Sequence, residues 1–248
     1  MRQLTFAANW KMQIGPAEAR DYAAGLLAKT PVAPGRVLWF FPPAVSLEAA
    51  ARAFAARVDV KVGAQDVHWE PKGAFTGAIS VPLAKAAGAA GALVGHSERR
   101  HVFGETDADT AKKVRALVAG GLVPMLCVGE KLEQREAGET DTVCARQLVA
   151  ALDGLSKAEL GKVLIAYEPV WAIGTGKNAT PADAAAAHHA IRNVLITLGR
   201  EGRATVLYGG SVNAGNIKAL LAEDELDGVL VGGASLDPAG WAGIVGVG

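Results

Sequence analysis

The sequence predicts an α/β fold, a single (β/α)8 barrel that spans residues 1–248 and contains a parallel eight-stranded sheet. Eight short runs rich in Val, Ile, Leu and Phe recur along the chain, and none alternates apolar with polar residues, so each is typical of a strand covered on both faces. Segments with helical spacing separate the runs, which favours parallel pairing through right-handed crossovers. The chain divides into eight units of about 31 residues, close to the length of one βα unit, and no linker or change in composition interrupts them. These features favour a closed barrel over an open, doubly wound sheet.

The predicted strands follow one another at regular intervals. They are residues 4–9, 37–41, 59–64, 92–95, 122–128, 162–167, 205–208 and 228–231. Two of the helices between them have clear ends. Thr180 suits an N-cap with Pro181 at the first helical position, and Gly199 ends that helix. Its inward face carries the apolar residues Ile191, Val194, Leu195 and Leu198. Residues 107–119 form a second such helix, which stops at Gly120.

The composition gives no sign of a nucleic-acid or membrane partner, leaves a small anionic substrate possible and fits a reducing cytoplasm. The formal net charge is zero, which gives no reason to expect a nucleic acid or a membrane surface as partner. No signal peptide is visible, and no stretch approaches the roughly 20 apolar residues that span a bilayer. Two cysteines, Cys127 and Cys144, make no disulfide framework and fit a reducing compartment. Cys127 lies in an apolar run, where a small buried hydrophobe is expected.

One connection is too long for a plain turn between a strand and a helix. Residues 65–80 contain Pro71, Gly73 and Gly77 and show no apolar period. The segment is either a mobile excursion or an arm that packs against a second subunit. We favour the arm as a hypothesis.

Polar residues follow several of the predicted strands at their C-terminal ends, where the active site of a (β/α)8 barrel lies. They are Asn9 and Lys11 after the first strand, His96, Ser97 and Glu98 after the fourth, Glu168 after the sixth, Ser211 after the seventh, and Gly232 and Gly233 after the eighth. Taken alone, Lys11 is often a solvated charge and His96 a core histidine with satisfied hydrogen bonds. Their shared location favours a site instead, because unrelated surface residues would not all fall at one end of one barrel.

The other histidines do not predict a metal site. His188 and His189 are adjacent on a helix, so their side chains point apart and cannot share a metal. His68 and His101 have no partner at ligand spacing. We therefore expect no metal and no organic cofactor.

The segment after the sixth strand has the pattern of a hinged lid. Pro169 restricts the backbone directly after Glu168, and glycines at the far end permit unusual backbone angles. The lid residues are Pro169, Val170, Trp171, Ala172, Ile173, Gly174, Thr175, Gly176 and Lys177. A surface turn that holds a glutamate is the alternative for this stretch alone.

Seven segments, taken together, resemble the signature blocks of the triosephosphate isomerase family, in that family's order and from end to end. They are Asn9-Trp-Lys-Met12, Val94-Gly-His-Ser-Glu-Arg-Arg100, Phe103-Gly-Glu-Thr-Asp107, Cys127-Val-Gly-Glu130, Ala166-Tyr-Glu-Pro-Val-Trp-Ala-Ile-Gly-Thr-Gly-Lys177, Tyr208-Gly-Gly-Ser-Val-Asn213 and Val231-Gly-Gly-Ala-Ser235. The departures are Ala8, Gln13, the pair His101 and Val102, and a glycine-rich C-terminal tail. None falls on a position that the family uses for chemistry.

The resemblance implies an enzyme that interconverts dihydroxyacetone phosphate and D-glyceraldehyde 3-phosphate through an enediol(ate), in glycolysis and gluconeogenesis. By the same resemblance, Glu168 is the base that moves a proton between C1 and C2, and neutral His96 donates a hydrogen bond to the substrate oxygens. Lys11 supplies a positive charge and Asn9 a further donor. Glu98 contacts Lys11, and assistance in proton transfer and a purely structural ion pair are both open for it.

The residues themselves agree with these roles. A closing lid would remove water from Glu168 and raise its basicity, and a helix start after His96 disfavours the imidazolium. No basic cluster is available for the phosphate, so backbone N–H groups are expected to bind it. The predicted substrate-binding residues are Asn9, Lys11, Gly174, Ser211, Gly232 and Gly233.

The resemblance also explains the long segment 65–80. In the family this loop inserts into the neighbouring subunit beside the catalytic pocket, which implies an obligate homodimer. Gln65 begins the loop in this chain, and Thr76 stands at its tip.

Two other readings are weaker. A sugar-phosphate aldolase or synthase on the same fold would require a Schiff-base lysine or a metal set at a strand end, and the sequence offers neither. A barrel that only binds phosphorylated metabolites would be expected to have lost Lys11, His96 or Glu168, and all three are present.

Overall fold

A computed structural model describes residues 3–173 and 179–247 and confirms the predicted (β/α)8 barrel. Eight strands pair in parallel in the order of the chain, and β1 pairs with β8 to close the sheet. They are β1 Leu4–Asn9, β2 Arg36–Phe41, β3 Val60–Ala64, β4 Gly91–Val94, β5 Val123–Val128, β6 Leu164–Tyr167, β7 Val206–Tyr208 and β8 Gly228–Val231. Because all strands point the same way, their C-terminal residues meet at one mouth of the barrel.

The strand boundaries lie within two residues of the predicted ones. β1 and β8 agree at both ends, whereas β6 begins at Leu164 rather than at Lys162. The reason is local, because the N–H groups of Lys162 and Val163 bond to the carbonyls of Glu159 and Leu160. These two residues therefore close a turn after the preceding helix and cannot join the sheet.

Helices connect the strands on the outside of the barrel. In the described part of the chain they are α1 Pro16–Leu27, α2 Leu47–Ala53, α3 Val81–Ala86, α4 Ser97–His101, α5 Asp107–Ala119, α6 Leu132–Glu136, α7 Thr140–Leu152, α8 Lys157–Leu160, α9 Pro181–Thr197, α10 Ile217–Leu221 and α11 Pro238–Val245. Short 3-10 helices occur at Ala44–Ser46, Val170–Ala172 and Gly233–Ser235.

The two helices with predicted ends form where the sequence indicates. Thr180 caps α9 through its hydroxyl, which accepts from the N–H of Asp183, while the Asp183 carboxylate accepts from the N–H of Thr180. Thr106 and Asp109 make the same capping box at α5. Each box satisfies two N–H groups that a helix start otherwise leaves without partners.

Two aromatic rings from β2 fill much of the barrel interior. Trp39 and Phe41 lie stacked with ring centroids 5.6 Å apart and an interplanar angle of 4°. Glycines on the next strands leave room for these rings. A methyl group on Gly63 would lie 2.5 Å from Phe41 Cε1, and one on Gly91 would lie 3.0 Å from the Trp39 ring. Smaller residues of the other strands complete this inner cluster, among them Ala7, Leu93, Met125, Cys127, Ala166, Leu207 and Leu230.

Both cysteines are buried and free. Within residues 3–173 and 179–247, no helix is long and apolar enough to cross a membrane.

We predict that Gly63→Ala lowers the free energy of unfolding by about 1–3 kcal/mol, because the added methyl group overpacks the ring of Phe41. Urea denaturation at one fixed protein concentration measures the change. Gly243→Ala is the matched control, since a methyl group there would meet no described atom within 4 Å and the residue lies in α11. We expect this control to be neutral or stabilising by up to about 1 kcal/mol. Equal unfolding free energies for the two variants would contradict the proposed packing of the interior.

Candidate active site

Three buried polar side chains meet at the mouth of the barrel. Asn9 ends β1, His96 follows β4 and Glu168 follows β6. His96 Nε2 lies 3.0 Å from Glu168 Oε1 and 3.2 Å from Asn9 Nδ2. Residues that are 87 or 72 positions apart in sequence thus form one cluster because the parallel strands end at the same level.

Glu168 is a buried carboxylate held by hydrogen bonds on both oxygens. Its Oε2 accepts from the backbone N–H of Ser97 at 2.8 Å, and its Oε1 contacts His96 Nε2. Burial raises the pKa of Glu168, but His96 and the Ser97 N–H stabilise the charged form more strongly, so the pKa lies below its usual value. Glu168 is therefore ionised in this arrangement. The raised basicity that the sequence predicts belongs to a closed lid, and Gly174–Lys177 lie outside the described residues.

His96 caps the short helix α4 with its ring. Its Nδ1 accepts from the backbone N–H of Glu98 at 3.3 Å. A backbone N–H can only donate, so Nδ1 carries no proton and the hydrogen of the neutral ring sits on Nε2, which faces Glu168. Burial lowers the pKa of His96, whereas the Glu168 carboxylate raises it, and the net direction is upward while the two side chains are in contact. When Glu168 moves away, the N–H bond at Nδ1 and burial both favour the neutral ring.

Lys11 reaches the site from the segment after β1. Its backbone has a positive φ of 51°, and its N–H bonds to Asn9 Oδ1 at 3.0 Å. The side chain of Gln65 holds this segment from outside, because its Nε2 donates to the carbonyl oxygens of Lys11 and Phe41 at 2.7 and 2.8 Å. A positive φ is uncommon for lysine, and here it turns the chain away from the direction of β1.

Glu98 binds Lys11 and does not line the cavity at the mouth. Glu98 Oε1 lies 2.6 Å from Lys11 Nζ, with 44% of the Glu98 side chain and 30% of the Lys11 side chain exposed. Its other oxygen is 3.7 Å from His96 Nδ1. The geometry therefore matches the ion-pair reading, with Glu98 holding the ammonium group in place.

A cavity of about 310 Å³ opens above these side chains. Asn9, Lys11, His96 and Glu168 line part of it. The turns after β7 and β8 supply much of the remaining lining, namely Gly209, Gly210, Ser211, Gly232, Gly233 and Ala234. A cavity that combines polar side chains with glycine-rich turns suits a small anionic ligand. Gly174, the remaining predicted phosphate ligand, lies outside the described residues.

Two of the glycines leave room for neighbouring side chains of the candidate site. A methyl group on Gly209 would lie 2.8 Å from Glu168 Cγ, and one on Gly232 would lie 3.0 Å from Lys11 Cε. The sequence predicts Gly232 as a phosphate ligand only. The structure shows in addition that these turns pass directly against Glu168 and Lys11.

The first residues of the predicted lid form a short helix that hydrogen bonds hold in place. Val170–Ala172 is a 3-10 helix that follows Pro169, and Ile173 lines the cavity. Glu130 anchors this helix, because its Oε1 accepts from Trp171 Nε1 at 2.8 Å and from the Tyr167 hydroxyl at 3.1 Å. Sequence reasoning assigned Glu130 no role, although it closes the block Cys127-Val-Gly-Glu130. The predicted lid residues Gly174, Thr175, Gly176 and Lys177 lie outside the described part of the chain.

The predicted interface loop lies beside the site rather than in it. Thr76 is exposed, and Gln65 lines a second cavity of about 550 Å³ together with Arg99, Phe103 and Glu105. Gln65 thus connects this second cavity to the Lys11 segment.

None of the other histidines lines the 310 Å³ cavity at the mouth of the barrel. His188 is buried and His189 exposed, as expected of neighbours on a helix. Burial lowers the pKa of His188 to about 3, so the ring is neutral. Among residues 3–173 and 179–247, no group of three or more His, Cys, Asp or Glu side chains could hold a metal ion.

Comparison with known proteins connects this geometry to a family. A family model described as triosephosphate isomerase matches residues 4–247. A triosephosphate isomerase of Roseiflexus castenholzii is 48% identical over 239 residues, which cover 95% of this chain and 94% of the relative. One of Aquifex aeolicus is 47% identical over 247 residues, with 99% of both chains covered. The chain described here therefore belongs to the triosephosphate isomerase family.

Proposed function

We propose that this chain interconverts dihydroxyacetone phosphate and D-glyceraldehyde 3-phosphate, as an isomerase of glycolysis and gluconeogenesis. Two relatives named triosephosphate isomerase are similar to this chain over 94% and 99% of their own length. The observation that carries the proposal is the contact of 3.0 Å between Glu168 and His96 at a cavity that is also lined by the glycine-rich turns after β7 and β8. This arrangement supplies an ionised carboxylate, a neutral hydrogen-bond donor and an anion site in one small volume.

The phosphate group is proposed to lie against Ser211, Gly232 and Gly233, with Gly174 completing the site. Backbone N–H groups bind an oxyanion without adding formal charge, which fits a wall that carries no basic cluster among its described residues. The reacting carbons then point towards Glu168 and His96. Lys11, next to Gly232, lies between the two ends of the substrate and can attract charge on either.

Glu168 is proposed as the base. Its carboxylate takes a proton from one carbon of the substrate, the electrons of the broken C–H bond move into the carbonyl group, and an enediolate forms. The hydroxyl proton on that first carbon passes to the oxygen of the former carbonyl group, and the same carboxylate returns a proton to the former carbonyl carbon, so the reaction needs no other reactant. To reach the substrate, Glu168 must leave the Ser97 N–H, and this loss of a stabilising donor raises its basicity.

His96, Asn9 and Lys11 are proposed to stabilise the enediolate. The proton on His96 Nε2 faces the cavity and can bond to the substrate oxygens in turn. Asn9 adds a donor 3.2 Å from that nitrogen. Lys11 contributes its charge, and Glu98 keeps the ammonium group oriented. The lid, Pro169 to Lys177, is proposed to exclude water while the intermediate exists.

We also propose that the single barrel domain works as a homodimer in the cytoplasm. Several apolar side chains are exposed, namely Met12 at 96% and, less fully, Phe75, Val102 and Phe103, the last of which lines the second cavity. Exposed apolar surface of this kind suits a contact with a second subunit. The 550 Å³ cavity beside Gln65 is open to receive Thr76 and its neighbours from a second subunit. The two free, buried cysteines fit a reducing compartment.

We predict that Glu168→Asp lowers kcat by roughly 100-fold, because the shorter side chain withdraws the carboxylate by about 1 Å. A coupled assay of glyceraldehyde 3-phosphate isomerisation measures this. Glu201→Asp is the matched control, since Glu201 is exposed and pairs only with Lys157 among the described contacts, at 2.8 Å. If Glu168→Asp kept kcat within about threefold of the parent, Glu168 could not be the base.

We predict that His96→Gln reduces kcat by roughly 100-fold or more, because one oxyanion donor contributes about 2.7–4 kcal/mol to the transition state. Full saturation curves in both directions separate kcat from KM. A change confined to KM would refute the role of His96 as the donor to the developing charge.

We predict that the protein sediments at twice the mass of one chain at micromolar concentration. Thr76→Arg should shift it towards the monomer, since a long charged side chain would enter a buried contact. Thr142→Arg, the same substitution at an exposed position of α7, should leave the sedimentation unchanged. A fully active monomer of the parent protein would remove the dimer proposal.

A further inference from the structure

Arg100 is a buried residue beside the active site that lines none of its wall. Only 7% of its side chain is exposed. Nε donates to the carbonyl of Gly95 at 2.7 Å, Nη2 to the carbonyl of Cys127 at 3.2 Å, and Nη1 to Asp107 Oδ1 at 2.6 Å. The guanidinium group therefore joins three backbone or side-chain acceptors that belong to three different segments.

The contacts with Gly95 and Cys127 connect β4 to β5 just beyond their last paired residues. β4 and β5 pair with Val94 opposite Leu126, so the next position would put Gly95 opposite Cys127. Gly95 instead leaves the strand with a φ of 67°, and a side chain there would meet the Arg100 guanidinium at 2.6 Å. Arg100 fills this gap and connects the two strand ends where the backbone ladder stops.

His96 lies between two carbonyls that Arg100 holds. The side chain of Arg100 binds the carbonyl of Gly95, and its backbone N–H binds the carbonyl of His96 at 3.0 Å. Glu105 holds the other side of Gly95, because its Oε1 accepts from the Gly95 N–H at 2.9 Å. The two peptide groups on either side of Gly95 are thus each held by a buried side chain.

The end of β5 also binds the backbone of Glu168, the residue that follows β6. The N–H of Glu168 bonds to the carbonyl of Val128 at 2.7 Å, and Val128 directly follows Cys127 on β5. Glu168 is therefore attached to β5 through its own backbone. His96 is attached to β5 through Arg100.

We propose that Arg100 is a positioning residue that fixes the His96 ring relative to Glu168 by connecting the ends of β4 and β5. The proposal rests on the proposed isomerase function, in which these two side chains act on the same substrate. Without the guanidinium group, two buried carbonyls lose a charged donor and the turn at Gly95 loses its support. His96 Nε2 would then sit away from the oxygens that it must contact.

A displaced His96 would also change how Glu168 titrates. Burial raises the pKa of Glu168, and contact with His96 is the largest of the interactions that lower it. A weaker contact therefore raises this pKa. The charged groups that face the His96 ring are Glu168, which follows β6, Glu98 from its own helix and Lys11 from the segment after β1. None of them is replaced in an Arg100 variant, so a shift of the acidic limb, where the base Glu168 becomes protonated, reports a changed contact between His96 and Glu168.

The experiment compares Arg100→Gln and Arg100→Lys with the parent enzyme. We expect Arg100→Gln to lower kcat by about 10- to 100-fold with KM within about threefold, because a misplacement near 1 Å has an effect of that size. The acidic limb of kcat/KM should move to higher pH, because a raised pKa of Glu168 leaves less of the base ionised at low pH. Arg100→Lys, which keeps one donor for Gly95, should recover a large part of kcat.

Arg200→Gln is the matched control. Arg200 is also buried and also binds backbone carbonyls, those of Leu160 and Val163, but it lies at the other end of β6 from Glu168. We expect this variant to lose stability while it keeps the parent's kcat and pH profile. Sedimentation confirms that all variants are compared in the same assembly. If Arg100→Gln lost only stability and kept both kcat and the pH profile, the proposal would be wrong.

A measurement without substrate separates this proposal from the proposed function. Nitrogen-15 NMR of labelled histidine reports the unprotonated Nδ1 of His96, and comparison with His96→Gln assigns that signal. We expect the signal to shift or broaden in Arg100→Gln and to remain in Arg200→Gln. An unchanged signal in Arg100→Gln would overturn the positioning role, whereas a parent protein without isomerase activity would overturn the proposed function instead.

Discussion

The contact between His96 and Glu168 is the constraint on which the site depends, because it places an ionised carboxylate in a buried position. Such a charge needs donors on both oxygens, and His96 and the Ser97 N–H supply them. The backbone must approach closely for this to happen. A methyl group on Gly129 would overlap the carbonyl of Glu168, and one on Gly209 would press on its side chain. Both residues are glycine because Glu168 occupies the space that a side chain would need, with its main chain at Gly129 and its side chain at Gly209.

This arrangement divides the work between side chains and backbone. In the proposed reaction, Lys11, His96 and Glu168 supply proton transfer and charge, while the turn with Gly232 and Gly233 supplies amides. The chain as a whole is neutral, so on this proposal a phosphate ester is selected by local donors rather than by a long-range field. A ligand held by amides at one end leaves the single ammonium group available for the reacting end.

Much of the fold could be predicted because its signals are local. A strand buried on both faces appears as an apolar run. The start of a helix such as α9 is indicated by its N-cap Thr180 and by Pro181 at the first helical position. The candidate site could be predicted as a set of residue types at strand ends. What could not be predicted are relations between distant atoms. The anchoring of the lid by Glu130 and the triple contact of Arg100 depend on side-chain directions that no spacing encodes. The same holds for the barrel interior, since the run that contains Trp39 shows no alternation and does not reveal which residues point inward.

The aromatic pair in the interior makes the two halves of the barrel unequal. Trp39 and Phe41 both come from β2, and the space for them is provided by Gly63 of β3 and Gly91 of β4. In the described chain, the inner cluster receives no aromatic ring from β5 to β8. A chimera that took its first four strands from this protein would therefore bring its own filling. A chimera that took only the last four strands would need large side chains from its other parent to fill the barrel interior.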